Sequence, residues 1–137
     1  MIRTACQKGK AWIDAGYPLR VAVNLSARQF RRHGFVKSIL AIIQETGYRR
    51  DLLDVEITES LMMEDPESVK QILQELSSYG IKIAIDDSGT GYSSLNYLKQ
   101  FPIDYIKIDK SFVRDIPADS DSVAIVRTII AMARNMH

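Results

Sequence analysis

The chain has 137 residues, 46% of them hydrophobic and 26% charged, with a formal net charge of +1. These values predict one soluble globular domain, and the absence of a basic stripe argues against duplex nucleic acid as a partner. The single cysteine, Cys6, excludes an internal disulfide and is typical of a reducing, cytoplasmic compartment. No apolar run approaches the roughly 20 residues of a membrane helix, and a signal-peptide pattern is lacking at the N-terminus.

Strand and helix signals alternate along the whole chain. The helix that opens at Asp65-Pro66-Glu67 combines a capping aspartate, a proline in the first turn and an acidic residue near the positive dipole end. In chain order, the sequence predicts a helix over 1–15, a strand over 20–25, a helix over 35–46, a strand over 52–58, a helix over 65–80, a strand over 82–86, a short helix over 93–99, a strand over 105–109 and a last helix from 119 or 120.

Strands that alternate with helices predict parallel βα units joined by right-handed crossovers. About four such units fit either a small doubly wound sheet or part of a TIM-like (β/α)8 barrel. A complete barrel of that kind has about 250 residues, so this chain corresponds to about half of one.

The side-chain alternation within the strands separates the two folds. One parity of each predicted strand is branched and apolar, whereas the other parity ends in a polar or charged group. A doubly wound sheet is covered by helices on both faces and is apolar at both parities, so the alternation favours the barrel. The polar residues then point inward near the carboxyl ends of the strands, where barrel enzymes place their active sites: Asn24, Glu56, Asp86, Lys107 and Asp109.

The inward residues predict a metal site. Glu56, Asp86 and Asp87 supply carboxylate oxygens and Asn24 an amide oxygen, which are ligands suited to Mg²⁺ or Mn²⁺. Carboxylates that hold two metals about 4 Å apart are typical of phosphodiester hydrolysis. Lys107 is expected to hold a phosphate, or a water or hydroxide, at the metals.

Other interpretations of these residues stay open at this point. The less favoured reading of Lys107 and Asp109 is a structural ion pair, and Asn24 with Ser26 can be read as a turn followed by a helix cap. Glu59 has the opposite parity from Glu56, so the prediction for Glu59 is a group that holds a loop rather than a ligand.

Several segments resemble the EAL domain family, the cyclic di-GMP phosphodiesterases named for a Glu-Ala-Leu motif. They occur in the family's order and with similar spacing over about residues 19–133. The matching segments are Val23-Asn24-Leu25-Ser26-Ala27, Glu56-Ile57-Thr58-Glu59-Ser60, the stretch from Asp86-Asp87 to Ser94-Leu95, Phe101-Pro102-Ile103-Asp104 and the stretch from Ile106-Lys107 to Val113.

The resemblance implies a TIM-like barrel that uses two Mg²⁺ or Mn²⁺ ions to open cyclic di-GMP to the linear dinucleotide pGpG. It assigns Asn24, Glu56 and Asp86 to metal binding, with Asp87 in the same bimetal site. It also places Lys107 and Asp109 beside the metals and the attacking water. Glu59 is implied to hold the loop over 87–95, which the family uses for metal binding and dimer contacts.

The chain also departs from the family pattern. The Glu-Ala-Leu segment, which supplies a metal-binding glutamate, would precede residue 1, and a Glu-Gly-Val-Glu segment would follow His137; Ser88 replaces the usual loop phenylalanine. Residues 1–137 are therefore expected to be the central part of an EAL domain, nearly inactive alone and completed by homo-oligomerisation. The full-length protein is expected to be a phosphodiesterase or a degenerate cyclic di-GMP receptor or docking module, with attached sensor or GGDEF-type domains.

Overall fold

The structure, a computed structural model, describes residues 1–88 and 98–136, and for Asp87 and Ser88 it describes the backbone alone. The strands are β1 (Val21–Asn24), β2 (Leu53–Thr58), β3 (Lys82–Ser88) and β4 (Tyr105–Ile108). The helices are α1 (Ile2–Asp14), α2 (Ala27–Phe30), α3 (Phe35–Thr46), α4 (Glu59–Glu64), α5 (Pro66–Ser78), α6 (Lys110–Arg114) and α7 (Ser120–Asn135), with a 3-10 turn at Arg50–Leu52. The predicted helix over 93–99 falls outside the described residues except at its C-terminal end.

The four strands form one parallel sheet in the order β1-β2-β3-β4. This arrangement confirms the predicted succession of parallel βα units. The register places Asn24 opposite Glu56 and Thr58 opposite Asp86, so the carboxyl ends of neighbouring strands lie side by side.

The helices cover one face of the sheet. The branched residues at the predicted apolar parity form the centre of the core, and the opposite face carries exposed side chains such as Asn24, Tyr105 and Lys107. A doubly wound sheet would bury both faces. The four βα units are therefore a sector of a barrel, with these residues in the core: Val23, Val55, Ile57, Ile83 and Ile85.

Three short helices at the strand ends were not predicted. Helix α2 begins at a capping box in which Ser26 and Gln29 satisfy each other's backbone groups, and α4 follows directly after Thr58, whose hydroxyl accepts a hydrogen bond from the Leu61 N–H. Helices of four to six residues are too short to show a 3.6-residue apolar period, so only their caps are visible in the sequence. The prediction of a cap at Ser26 is confirmed.

Tyr48 ties together the segments that lead into β1 and β2. Its ring is buried, and its hydroxyl lies 2.9 Å from both the Leu19 and the Leu52 carbonyl oxygens. The hydroxyl donates one proton, so the two carbonyls share it. The ring packs on α1 at Gly9, where an added Cβ would lie 2.8 Å from Tyr48 Cζ and closer still to Cε2. Only a residue without a side chain allows this approach of helix to ring.

Cys6 lies in the core between α1 and the rest of the helical layer. Its side chain is fully buried, and burial raises the pKa of the thiol. Because the thiolate is the reactive form, this environment suits packing and not chemistry. In the part of the chain that the structure describes, every helix is too short or too polar to cross a bilayer.

Candidate active site

The inward face of the sheet brings three of the predicted site residues together. Glu56 lies on β2, Asp86 on β3 and Lys107 on β4, each close to the carboxyl end of its strand. The Lys107 ammonium donates a hydrogen bond to Glu56 Oε2 over 2.9 Å and lies 3.6 Å from Asp86 Oδ1. Two carboxylates from neighbouring strands therefore share one cation.

The burial of Glu56 means that its negative charge needs a cation close by. The Glu56 side chain is only 9% exposed, whereas that of Asp86 is 27% and that of Lys107 45% exposed. A buried carboxylate is costly unless a cation compensates it. The hydrogen bond to Glu56, assisted by the nearby Asp86, raises the pKa of Lys107, so its ammonium stays protonated at neutral pH.

The amide of Asn24 shares the polar face with this cluster. Asn24 ends β1, is exposed, and is the register partner of Glu56. The Leu25 N–H donates to the Glu56 carbonyl over 2.9 Å, which continues the β1–β2 pairing past Asn24. The β1–β2 pairing therefore fixes the backbone position of Asn24, which is not part of an unpaired turn.

The remaining predicted site residues have different placements. Asp109 follows β4 and caps α6, its side chain accepting a hydrogen bond from the Ser111 N–H at 2.7 Å. Glu59 is the first residue of α4 and is half-buried, but the loop that it is predicted to hold lies mostly outside the described residues. The Asp87 side chain also lies outside them. The roles assigned to these three residues stay predictions.

The donor chemistry of the face fits a hard divalent cation. Glu56 and Asp86 already converge on one positive charge, and Asn24 adds a neutral oxygen on the adjacent strand. Across residues 1–88 and 98–136, no three His, Cys, Asp or Glu side chains gather closely enough to hold a metal by themselves. A metal at this face would therefore draw on the amide of Asn24 and on groups beyond the described side chains.

A second polar row on the same face was not predicted. At the amino ends of the strands, the Arg20 guanidinium binds both oxygens of Asp54 at 2.8 and 3.2 Å, and Lys82 donates to Asp104 at 2.7 Å. The other Asp104 oxygen accepts from the Ile83 N–H at 2.9 Å. The spacing in the sequence could have indicated this row. Asp54 lies two residues before Glu56 and Lys82 four residues before Asp86, so each points to the same face as the site residue on its strand.

Comparison with known proteins decides the family. The model of the EAL domain matches residues 1–137. The chain belongs to the EAL domain family. The resemblance read from the motifs is thereby confirmed, and so is the assignment of the sheet as a sector of a TIM-like barrel, since the structural neighbours are EAL domains.

The relatives of this EAL chain include bacterial proteins named for cyclic di-GMP metabolism or signalling. It is 44% identical to the signaling protein YkoW of Bacillus subtilis over 136 residues, which is 99% of this chain and 17% of that protein. It is 42% identical to the bifunctional diguanylate cyclase/cyclic di-GMP phosphodiesterase MucR of Pseudomonas aeruginosa over 134 residues, 97% of this chain and 20% of that one. Among solved structures, the PaMucR phosphodiesterase in complex with c-di-GMP superposes with a TM-score of 0.92 and 41% identity, covering 98% of this chain and 55% of that chain.

The chain corresponds to only part of each of these relatives. It spans about a fifth of the curated relatives' length and about half of the matched PaMucR chain. The activity of a whole EAL protein is therefore a proposal for this sector.

Proposed function

We propose that residues 1–137 are a partial EAL domain that supplies one half of a metal-dependent cyclic di-GMP phosphodiesterase site. The observation that carries the proposal is the convergence of Glu56 and Asp86 on one cationic group at the carboxyl ends of the strands. Barrel enzymes perform their chemistry at that end. The names of MucR and of the PaMucR complex support cyclic di-GMP as the ligand class and hydrolysis as the reaction.

Each residue of the face has a distinct task in this proposal. Glu56, Asp86 and Asn24 would hold Mg²⁺ or Mn²⁺, with Asp87 as the further carboxylate. When bound, such ions supply Lewis acidity, which polarises a phosphodiester and makes water more acidic. Lys107 extends its ammonium group into the same face and would donate hydrogen bonds to a phosphate, or to a water or hydroxide, beside the metals. Asp109 caps α6 directly after β4, and we propose that it lies beside the metals and the attacking water.

We expect residues 1–137 alone to bind cyclic di-GMP weakly and to hydrolyse it hardly at all, because four strands supply only part of the ligand set. Isothermal titration calorimetry with cyclic di-GMP, with and without Ca²⁺, measures binding without turnover, and chromatography with Mg²⁺ measures pGpG. Robust Mg²⁺-dependent formation of pGpG by the isolated chain would contradict this expectation. Tight binding without hydrolysis in a complete barrel would instead favour the receptor function.

We also propose that the isolated sector forms a homodimer or larger assembly. Among the described strands, β1 and β4 are each paired on one side only, and the polar face is uncovered. Unpaired strand edges favour association with another chain. Light scattering at micromolar concentration is expected to give a mass above that of the 15.5 kDa chain, and a stable monomer would overturn this part of the proposal.

Two further parts of the proposal concern cellular context. The unpaired, buried thiol of Cys6 supports a reducing, cytoplasmic compartment. The bifunctional name of MucR supports GGDEF-type or sensor domains attached to this EAL sector in a longer protein.

A further inference from the structure

The Lys107 ammonium takes the position beside Glu56 and Asp86 that a metal ion would need. It lies 2.9 Å from Glu56 Oε2 and 3.6 Å from Asp86 Oδ1. Those oxygens are the hard donors that the proposed function assigns to a divalent cation. An ammonium and a divalent cation cannot both sit against Glu56 Oε2 without strong repulsion between like charges.

We propose that Lys107 is a built-in competitor of divalent cations, whose displacement from Glu56 sets the metal affinity of the site. The proposal rests on the proposed function, since it assumes that Glu56 and Asp86 are metal ligands. It adds that metal binding is an exchange of one cation for another. The cost of breaking the Lys107–Glu56 contact lowers the apparent metal affinity.

The difference in burial indicates which partner moves. Glu56 is fixed in the interior of the sheet, with its side chain 9% exposed, whereas that of Lys107 is 45% exposed and extends from β4 at the edge of the described sheet. A lysine side chain carries its charge on a flexible four-carbon stem. Lys107 can therefore swing toward solvent while Glu56 keeps its place.

The same contact explains how the site stays compact before a metal arrives. Glu56 and Asp86 would otherwise repel each other, and Glu56 would be buried without a counter-charge. Lys107 compensates both carboxylates with one mobile charge. Metal binding thus exchanges the Lys107 ammonium for a divalent cation. The carboxylates of Glu56 and Asp86 have a positive charge beside them both before and after the exchange.

Lys82 offers a matched control for this exchange. It lies on β3 near the other end of the same face, its side chain is 44% exposed, and it donates to Asp104 over 2.7 Å. A Lys82→Met substitution removes the same charge from the same face without touching Glu56 or Asp86. Any effect of Lys107→Met beyond that of Lys82→Met reports on the local contact and not on overall charge.

The test is a Mn²⁺ titration of the 137-residue chain, with free Mn²⁺ followed by electron paramagnetic resonance. We expect Lys107→Met to bind Mn²⁺ about tenfold more tightly than the native chain, equivalent to about 1.4 kcal/mol. Lys82→Met is expected to stay within about twofold, because the charge that it removes lies outside the site and is screened by salt. Glu56→Gln is expected to lose the binding.

Thermal unfolding gives a second readout on the same proteins. Without Mn²⁺, Lys107→Met is expected to melt below the native chain because Glu56 loses its partner, and saturating Mn²⁺ is expected to raise its melting temperature by more than that of the native chain. Circular dichroism checks the fold. If Lys107→Met does not fold, Lys107→Gln, which removes the charge but keeps a hydrogen-bond donor, takes its place.

The outcomes separate the inference from the function on which it rests. Glu56-dependent Mn²⁺ binding that is unchanged or weakened by Lys107→Met and Lys107→Gln would overturn the competition but leave the metal site standing. Mn²⁺ binding that is absent, or that Glu56→Gln does not reduce, overturns the metal site and the competition together.

Discussion

Replacing Glu56 by glutamine is expected to lower the hydrolysis of cyclic di-GMP by at least about 100-fold in a complete EAL barrel that contains this sector. A metal cluster stabilises the transition state by several kcal/mol, and each 1.36 kcal/mol corresponds to about a tenfold change in rate. Glutamine keeps the shape of Glu56 but loses the charge that binds a cation. It also removes the negative charge from the 2.9 Å partner of Lys107.

The measurement uses a transplant. Residues 1–137 replace the matched segment of the PaMucR EAL domain, which is 41% identical and superposes with a TM-score of 0.92. The rate of pGpG formation is then compared between the transplant and its Glu56→Gln variant. Glu75→Gln, at an exposed position of α5, makes the same chemical change away from the site and is expected to leave the rate unaltered. A folded Glu56→Gln variant with more than about a third of the rate would contradict the ligand role.

The second large effect is expected from Gly9→Ala, which should lower the free energy of unfolding by up to about 2 kcal/mol, the cost of overpacking less the gain in helix propensity. On helix propensity alone, alanine would stabilise α1 by up to about 1 kcal/mol. The added Cβ, however, would lie 2.8 Å from Tyr48 Cζ and closer to Cε2, and overpacking costs about 1–3 kcal/mol. The ring cannot easily withdraw, because its hydroxyl is shared by the Leu19 and Leu52 carbonyls.

Urea unfolding of the isolated chain measures this effect. The opposite change at an exposed position of the same helix, Ala11→Gly, is expected to cost up to about 1 kcal/mol through propensity alone. A double-mutant cycle with Tyr48→Ala tests the cause, since removing the ring should abolish the penalty at Gly9. A stabilising Gly9→Ala would show that the helix moves away from the ring at little cost.

The alternation of side chains explains why the barrel sector and the shared face of Glu56, Asp86 and Lys107 could be predicted from sequence. Period-two alternation is a local property of each strand, and it separated the apolar face at Val55 and Ile57 from the polar face at Glu56. Parallel pairing then brings the strand ends together without further information. The prediction that Glu56, Asp86 and Lys107 share a face follows from those two facts, and the structure agrees with it.

Which partners meet across the sheet could not be predicted, because that depends on register and on rotamers. Lys107 is 51 residues from Glu56 in sequence and reaches it diagonally across β3. The pairing of β3 with β4 also shifts register between Ile85 and Ser88. The sequence pattern within the two strands does not predict this shift. The ion pairs of Asp54 and Asp104 at the opposite strand ends were missed for the same reason.

The most direct test of the central claim, that this sheet face is half of a phosphodiesterase site, is the activity of the transplant itself. The account predicts Mg²⁺-dependent conversion of cyclic di-GMP to pGpG by the PaMucR domain that carries residues 1–137, at a rate comparable to that of the unmodified domain. A transplant that folds and binds cyclic di-GMP but forms no pGpG would contradict the claim.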